Sequence, residues 1–269
     1  MSPLAGIRVL SIALNVPGPA AVARLVPEGA TAVKVEPPGG DPLATYSRDW
    51  YDLLHRDIDV VRLDLKATAG RAELERRLAL ADVFLTAQRP AALERLGLAP
   101  DGLVRRHPHL RVVTIVGDTA APDTPGHDVT YQAEAGLLRG RLPVTFLADL
   151  AGAERVVSAT LLALREPPGA RRVVGLRDTL HDFAAPLRHR LTGPGDRFGG
   201  ADPAYGVYRT ADGTVAVAAL EPHFRARLYA VLELPLDAPL DQVMASRSSA
   251  EWTAIAATND LPLSSLRHG

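Results

Sequence analysis

The sequence predicts an α/β protein with two parts: an open parallel sheet in a large domain over residues 1–190, and a smaller α+β domain over 201–269. Two observations indicate the parallel sheet and the division. Short apolar runs alternate with helical segments in the first part, as in parallel sheets. A glycine-rich run at 191–200 then predicts a linker, and the pattern changes beyond it.

The first βαβ unit lies within the first 36 residues. The apolar run at 8–14 fits a buried parallel strand, and 32–36 fits the second strand. Between them, Pro17-Gly18-Pro19 leads into a helical segment at 20–25. A strand, a helix and a strand at this spacing form a βαβ unit.

The alternation continues through the rest of the first part. Apolar runs predict strands at 60–65, 83–86 and 111–116. Helices are predicted at 71–80, 91–96 and 149–164. The segment 173–190 is ambiguous between strand and helix.

The second part carries the pattern of a small α+β unit. Alternating runs at 205–210 and 214–218 flank Asp212-Gly213, which predicts a hairpin. Helices are predicted at 221–232, 240–244 and 249–257, with Ser249 as the cap of the last.

Composition excludes several classes of function. With 47% hydrophobic and 23% charged residues, the chain is typical of a globular protein. A formal net charge of −1 favours no nucleic-acid partner. The absence of cysteine excludes disulfides and thiolate chemistry. Because no apolar run approaches membrane-spanning length and no signal pattern opens the chain, we expect a cytoplasmic protein without a membrane partner.

Ligands of an open α/β sheet bind at the carboxyl ends of its strands. None of the loops at these ends carries a GxGxxG or GxxxxGK[ST] motif, so neither a dinucleotide site nor a P-loop site is predicted. Arg89 follows the strand at 83–86 and precedes a helix. Its position fits either a solvated surface residue or a partner for a phosphate group.

Two titratable residues are candidates for proton transfer. His127 follows Pro125-Gly126 and precedes a periodic segment, so we expect it at a helix start, which lowers the pKa of an imidazole. Asp149, 22 positions later (149 − 127), stands in apolar surroundings. A neutral base and a carboxylate that face one cavity can move a proton at an acidic carbon. From the residues alone, His127 also fits a structural histidine and Asp149 a helix cap.

Motifs spread over most of the chain resemble one known family. They are the run 4–10 with Pro17-Gly18-Pro19-Ala20, Val33-Lys34-Val35-Glu36-Pro37-Pro38-Gly39-Gly40-Asp41, Leu63-Asp64-Leu65-Lys66, the runs 81–85 and 89–98, Gly126-His127-Asp128 with Tyr131, the run 208–213 and Glu221-Pro222-His223-Phe224. Together they are similar to the family III CoA-transferases (CaiB/BaiF type), and most similar to the α-methylacyl-CoA racemase branch.

The resemblance implies a large Rossmann-like domain and a small domain, usually in an intertwined homodimer. It implies no metal and no organic prosthetic group, because coenzyme A enters as the thioester part of an acyl-CoA substrate.

The resemblance also implies roles for individual residues. In the racemase branch, the counterparts of His127 and Asp149 exchange the α-proton through an enolate, and Glu221 matches a glutamate near the histidine. Backbone N–H groups after Gly126 would stabilise the enolate oxygen. The residues expected to bind the substrate or its CoA portion are Arg89, Asp128, Tyr131, Lys34 and Tyr205.

The chain departs from the family pattern at three places. Residues 54–59 stand where the family has a basic, glycine-containing run, and 117–125 replace a glycine-rich loop. The small domain is truncated relative to the family. We therefore expect weakened CoA contacts and a dimer that is looser or differently built.

Three hypotheses follow for function. The first is a racemase or epimerase of 2-methylacyl thioesters that uses His127 and Asp149 as acid and base. The second is a CoA transferase in which Asp149 attacks the thioester and forms an acyl-aspartyl anhydride; the presence of His127 and Glu221 argues against it, since that route does not need them. The third is a repurposed or non-catalytic homologue that binds another ligand.

Overall fold

The computed structural model describes residues 2–266 and divides the chain into two compact units, Met1–Ala184 and Ala185–Gly269. A domain boundary after residue 190 and a linker at 191–200 stay predictions; a short helix at Ala185–Arg188 already belongs to the second unit. Residues 267–269 of the predicted small domain lie outside the described residues.

Unit 1 is built on a six-stranded parallel sheet, which confirms the predicted α/β fold. Its strands are β1 (Arg8–Ser11), β2 (Thr31–Glu36), β3 (Asp59–Arg62), β4 (Val83–Thr86), β5 (Arg111–Val116) and β6 (Arg171–Gly175). Their order in the sheet is β3-β2-β1-β4-β5-β6, the order of a Rossmann fold. The chain reverses its direction of growth between β1 and β4, which is where such sheets bind ligands.

Nine helices of unit 1 connect or flank these strands in the described part of the chain. They are α1 (Pro17–Leu25), α2 (Leu43–Tyr46), α3 (Arg48–Leu54), α4 (Thr68–Leu78), α5 (Pro90–Leu96), α6 (Pro100–Arg106), α7 (Asp128–Glu134), α8 (Leu147–Arg165) and α9 (Leu176–Phe183). Helix α1 starts earlier than predicted, because Pro17 fits the first helical position, where its missing N–H costs no hydrogen bond.

Two apolar cores cover the sheet. One contains residues of α1 and α8 with β1, β4 and β5, and the other contains residues of α4, α5 and α6 with the same central strands. All four residues of β4 are buried, which explains why its sequence is an uninterrupted apolar run. In register, Ser11 of β1 lies beside Lys34 of β2 and Leu85 of β4, so the loops after these strands meet at one edge.

Unit 2 contains the predicted hairpin, β7 (Tyr205–Arg209) and β8 (Thr214–Ala218), and a third antiparallel strand, β9 (Leu263–Ser265). Its helices are α10 (Ala185–Arg188), α11 (Pro222–Val231), α12 (Asp241–Met244) and α13 (Ser249–Asn259), with a 3₁₀ turn at Arg197–Gly199. The cap of α13 is Ser248 and not Ser249: Ser248 Oγ accepts from the Glu251 N–H, and the Glu251 carboxylate accepts from the Ser248 N–H at 2.8 Å.

Within the described residues, no helix is both long enough and apolar enough to span a bilayer.

Candidate active site

His127 lies at the amino end of α7, as its sequence position predicts, and its side chain is exposed. Its backbone is held on both sides by Thr130: Oγ1 accepts from the His127 N–H at 3.1 Å and donates to the His127 carbonyl oxygen at 2.7 Å. The peptide units around His127 are therefore fixed, while the imidazole stays open to a ligand.

Tyr131, one turn further along α7, is buried against the loop that leads to His127. A Cβ atom at Gly117 or at Gly126 would overlap the Tyr131 hydroxyl, so both positions require glycine. The ring belongs to the apolar core below the site. Burial raises the pKa of Tyr131, and the nearby charge of Asp149 acts in the same direction. Tyr131 thus supports the His127 loop from within the protein.

Asp149 lies in the first turn of α8 and is half-buried. Burial, together with the negative charge of Asp128, raises the pKa of Asp149 from 3.8 to about 7. Both protonation states of this carboxyl group are then populated near neutral pH, which suits an acid–base catalyst.

Asp128 connects the two helices that carry His127 and Asp149. Its carboxylate is buried; Oδ1 accepts from the Asp149 backbone N–H at 3.1 Å and Oδ2 accepts from Gln132 Nε2 at 2.6 Å. Both oxygens therefore face donors inside the protein.

Lys34 lies in a buried ionic network, contrary to the expectation that it contacts the substrate. Its ammonium group bonds Asp41 and lies 3.2 Å from Glu36 Oε1 and 2.8 Å from His55 Nε2. The Lys34 side chain is 3% exposed. The ammonium group hydrogen-bonds Asp41 and His55 and is paired with Glu36, and its burial keeps it away from a ligand.

His55 and Tyr51 complete this network. His55 Nδ1 bonds the Tyr51 carbonyl oxygen at 2.6 Å, and the Tyr51 hydroxyl donates to Glu36 Oε1 at 2.7 Å. Burial lowers the pKa of His55, and the Lys34 ammonium group adds to this effect, so the ring is a neutral acceptor for Lys34. Glu36, Asp41 and His55 offer donor atoms of the kind that hold a metal, all within 4.8 Å of one another, but the ammonium group lies among them.

A cavity of about 420 Å³ lies at the carboxyl ends of β1 to β4. Residues of all four loops line it: Ile12, Leu14, Glu36, Pro37, Pro38, Leu63, Asp64, Leu65, Lys66 and Gln88. Arg89, the next residue, is exposed at the start of α5, and its charge acts on Tyr131. The cavity is thus placed where the strand order predicts a ligand site, and its lining includes one cationic group, Lys66, and the carboxylates of Glu36 and Asp64.

Glu221 and Tyr205 belong to unit 2. Glu221 is exposed and precedes α11, and the half-buried Tyr205 packs against Phe198 with ring centroids 4.9 Å apart. Their roles stay predictions from the family resemblance.

Asp41, His55 and Gln132 carry hydrogen bonds of the site region that the sequence did not reveal. Asp41 follows two glycines and His55 stands in a polar run, so each has the local pattern of a surface residue. For Gln132 the spacing of four from Asp128 was a usable signal, because such residues meet on one helix face.

Comparisons with known proteins agree with this architecture. The sequence model of CoA-transferase family III matches residues 4–268. The probable fatty acyl-CoA transferase Rv3272 of Mycobacterium tuberculosis is 29% identical, over 96% of this chain and 81% of its own length. Human α-methylacyl-CoA racemase is 32% identical, over 94% of this chain and 74% of its own length. A crystal structure of the Mycobacterium tuberculosis protein Rv3272 superposes with a TM-score of 0.84 at 28% identity, covering 100% of this chain and 85% of that one.

The family match extends over nearly the whole chain. Relatives named as transferases and relatives named as racemases both align with the chain. The protein is a member of CoA-transferase family III.

Proposed function

We propose that the protein is an acyl-CoA racemase or epimerase that moves a proton at the α-carbon of a 2-methylacyl thioester. The observation that carries this proposal is Asp149, a half-buried carboxyl group with a pKa of about 7, on a helix tied to the one that begins after His127.

In the proposed reaction, His127 and Asp149 act from opposite faces of the substrate. One group removes the α-proton, an enolate forms, and the other group delivers a proton to the opposite face. At the start of each turnover, one of the two groups must therefore be deprotonated, so that it can accept the α-proton, and the other must be protonated. Glu221 is proposed as the partner of His127 from the family resemblance alone.

The CoA portion is proposed to bind at the cavity lined by the loops after β1 to β4. Its lining is largely apolar, with Lys66 at the rim and Arg89 beside it, which suits a nucleotide that carries phosphate groups. Coenzyme A enters only as part of the substrate in this proposal, and no separate cofactor is invoked.

We also propose a homodimer, which sedimentation velocity tests directly.

A CoA transferase is the second candidate, because the aligned Rv3272 relative is named a probable fatty acyl-CoA transferase. In that reaction the Asp149 carboxylate attacks the thioester carbonyl carbon, an acyl-aspartyl anhydride forms, and the CoA thiolate leaves. Hydroxylamine would convert this anhydride to a hydroxamate on Asp149. Detection of that adduct by peptide mass spectrometry, after incubation with acyl-CoA, would establish the transferase route.

Deuterium exchange at the α-carbon tests the racemase proposal. A panel of 2-methylacyl-CoA thioesters is incubated with the protein in heavy water, and the α-proton signal is followed by NMR. We expect exchange by the native protein and a loss of about 10²–10⁴-fold in His127→Ala and in Asp149→Ala. His189→Ala, at an exposed position of unit 2, is the matched control and should exchange at the native rate.

Two results would contradict the proposal. One is the absence of exchange over the whole panel by folded protein. The other is a large loss of thermal stability in His127→Ala and Asp149→Ala, which would make these residues structural. Calorimetry with CoA separates the third hypothesis: no binding at millimolar CoA would indicate a cleft repurposed for another ligand.

A further inference from the structure

We propose that Asp128 is a positioning residue, which ties α7 to the first turn of α8 and acts on the reaction through Asp149, not through contact with the substrate. This inference rests on the proposed function, in which His127 and Asp149 form the acid–base pair.

The geometry of the Asp128 carboxylate supports an internal role. It is 5% exposed, and each oxygen accepts from a different donor: the backbone N–H of Asp149 and the side-chain amide of Gln132. Since both donors belong to the protein, the carboxylate is occupied without any ligand. Acceptance at both oxygens also fits the ionised form of Asp128.

Gln132 adds a second hydrogen-bonded connection between α7 and the start of α8; together with the Asp128 bond, this connection is called the tie. Gln132 Nε2 donates to Asp128 and also to the Thr145 carbonyl oxygen, at 3.1 Å. Thr145 lies just before α8, so two residues on one face of α7 hold the segment that enters α8 at two positions. His127 is the residue before Asp128. Loosening the tie would therefore change the placement of His127 relative to Asp149.

Asp128 also affects the ionisation of Asp149. The negative charge of the Asp128 carboxylate faces Asp149 across the helix interface and disfavours the ionised form of the Asp149 carboxyl group, in addition to the effect of burial. The charge of Asp149 in turn raises the pKa of Tyr131, which also lies on α7, in addition to the larger effect of burial.

Basic residues on the neighbouring elements are engaged elsewhere. On α1, Arg24 pairs with Glu154; on α3, Arg48 pairs with Asp52; on α9, Arg177 pairs with Asp118 and Glu134. On β6, Arg171 and Arg172 pair with Asp101 and Glu166. Among charged groups it is Asp128 that raises the pKa of Asp149, in addition to the larger effect of burial.

Two variants separate the charge from the tie. Asp128→Asn removes the charge at constant size and keeps one acceptor oxygen for the Asp149 N–H, whereas Gln132→Met keeps the charge but removes both Gln132 bonds, to Asp128 and to the Thr145 carbonyl oxygen. Carbon-13 NMR of the Asp149 carboxyl group, assigned by its loss in Asp149→Asn, gives the ionisation midpoint without any need for activity. We expect a midpoint near 7 in the native protein, a value lower by about one unit or more in Asp128→Asn, and an unchanged value in Gln132→Met.

Kinetics then tests positioning against substrate contact. For the exchange reaction, we expect both variants to lower kcat by about tenfold or more while KM for the thioester stays within about twofold of the native value. The pH at which kcat/KM changes near neutrality should move with the NMR midpoint in Asp128→Asn only. A higher KM with an unmoved midpoint would overturn the inference and make Asp128 a substrate ligand.

The two proposals fail in different ways. If the native protein exchanges no α-proton, the proposed function fails, whereas the NMR midpoints still test the influence of Asp128 on Asp149. If Asp128→Asn does not fold, Gln132→Met decides the tie: an unchanged kcat in that variant would overturn it.

Discussion

Asp149 shows how two opposing effects are resolved at a single residue. The amino end of a helix favours a carboxylate by about 0.3–1 kcal/mol. Burial and the charge of Asp128 act in the opposite direction, and the rise of the pKa from 3.8 to about 7 corresponds to a free energy on the order of 4 kcal/mol. The second effect is the larger one, so the ionised form of Asp149 destabilises the folded protein.

A pH-dependent gain in stability is expected from Asp149→Asn. The folded carboxyl group binds its proton more tightly than the unfolded one, so the destabilisation is absent below the unfolded value of 3.8, grows up to about pH 7 and is complete above it. Urea unfolding should show a gain on the order of 4 kcal/mol at pH 8 and little change at pH 4. The control is Asp57→Asn, at an exposed position. An equal gain at both pH values would exclude ionisation as its cause.

Gly126 is a second residue at which a small change has a large expected effect. In Gly126→Ala the new methyl group would collide with the Tyr131 ring, which is held in the core and cannot yield. We expect a loss of stability of about 1–3 kcal/mol and slower α-proton exchange, because the loop before His127 must move. Gly39→Ala is the matched control, since a Cβ there meets no atom within 4 Å. Equal melting temperatures in the two variants would contradict the account.

At the scale of elements, the Lys34 network joins β2 to the loop after it and to α3. It holds Asp41, whose oxygens also accept from the backbone N–H groups of Asn15 and Leu43. One carboxylate thereby fixes parts of the loops after β1 and β2, both of which line the large cavity. The function of Lys34 is thus indirect: it stabilises the walls of the proposed CoA site from behind.

Loss of the Lys34 charge is expected to be costly. Lys34→Met leaves two buried carboxylates with no cation, which should lower the free energy of unfolding by about 3–5 kcal/mol. Lys66→Met provides the control, because Lys66 is the other lysine of the chain and is exposed. Chemical denaturation of both variants measures the difference. A small loss in Lys34→Met would show that the carboxylates become protonated at little cost.

Strands with extensive burial were predictable from the sequence, and so were the mostly exposed β3 and the hairpin of β7 and β8. The runs that became β1, β2, β4 and β5 were apolar and short, and each was recognised. Strand β6 was missed because it is an edge strand with only Val173 and Val174 as large apolar residues, and it runs directly into α9. Strand β9 has three residues, of which only Leu263 is buried. Such strands depend on partners that are distant in sequence.

For the molecule as a whole, local patterns and family motifs identified the fold and the two proposed catalytic residues, but not the environment of the other polar groups. His127 was expected at a helix start, and α7 begins at the next residue. The burial of Lys34 and Asp128 was not predictable, because it arises where separate elements meet in the folded chain. Local patterns indicate which elements form, whereas pairing between them depends on their final arrangement.

The interior position of β1 also constrains how the chain folds as it is synthesised. One edge of β1 pairs with β2, which follows only some twenty residues later. The other edge pairs with β4, at Val83–Thr86, and stays unpaired until that strand has been synthesised. Until then, a strand with three of its four residues destined for the interior presents open hydrogen-bonding groups, which are prone to intermolecular pairing. A fragment of residues 1–80 is expected to aggregate, whereas 1–184, which contains all six strands, should remain dispersed in a sedimentation assay. Nascent chains that pause before β4 emerges would be those that most need protection by a chaperone.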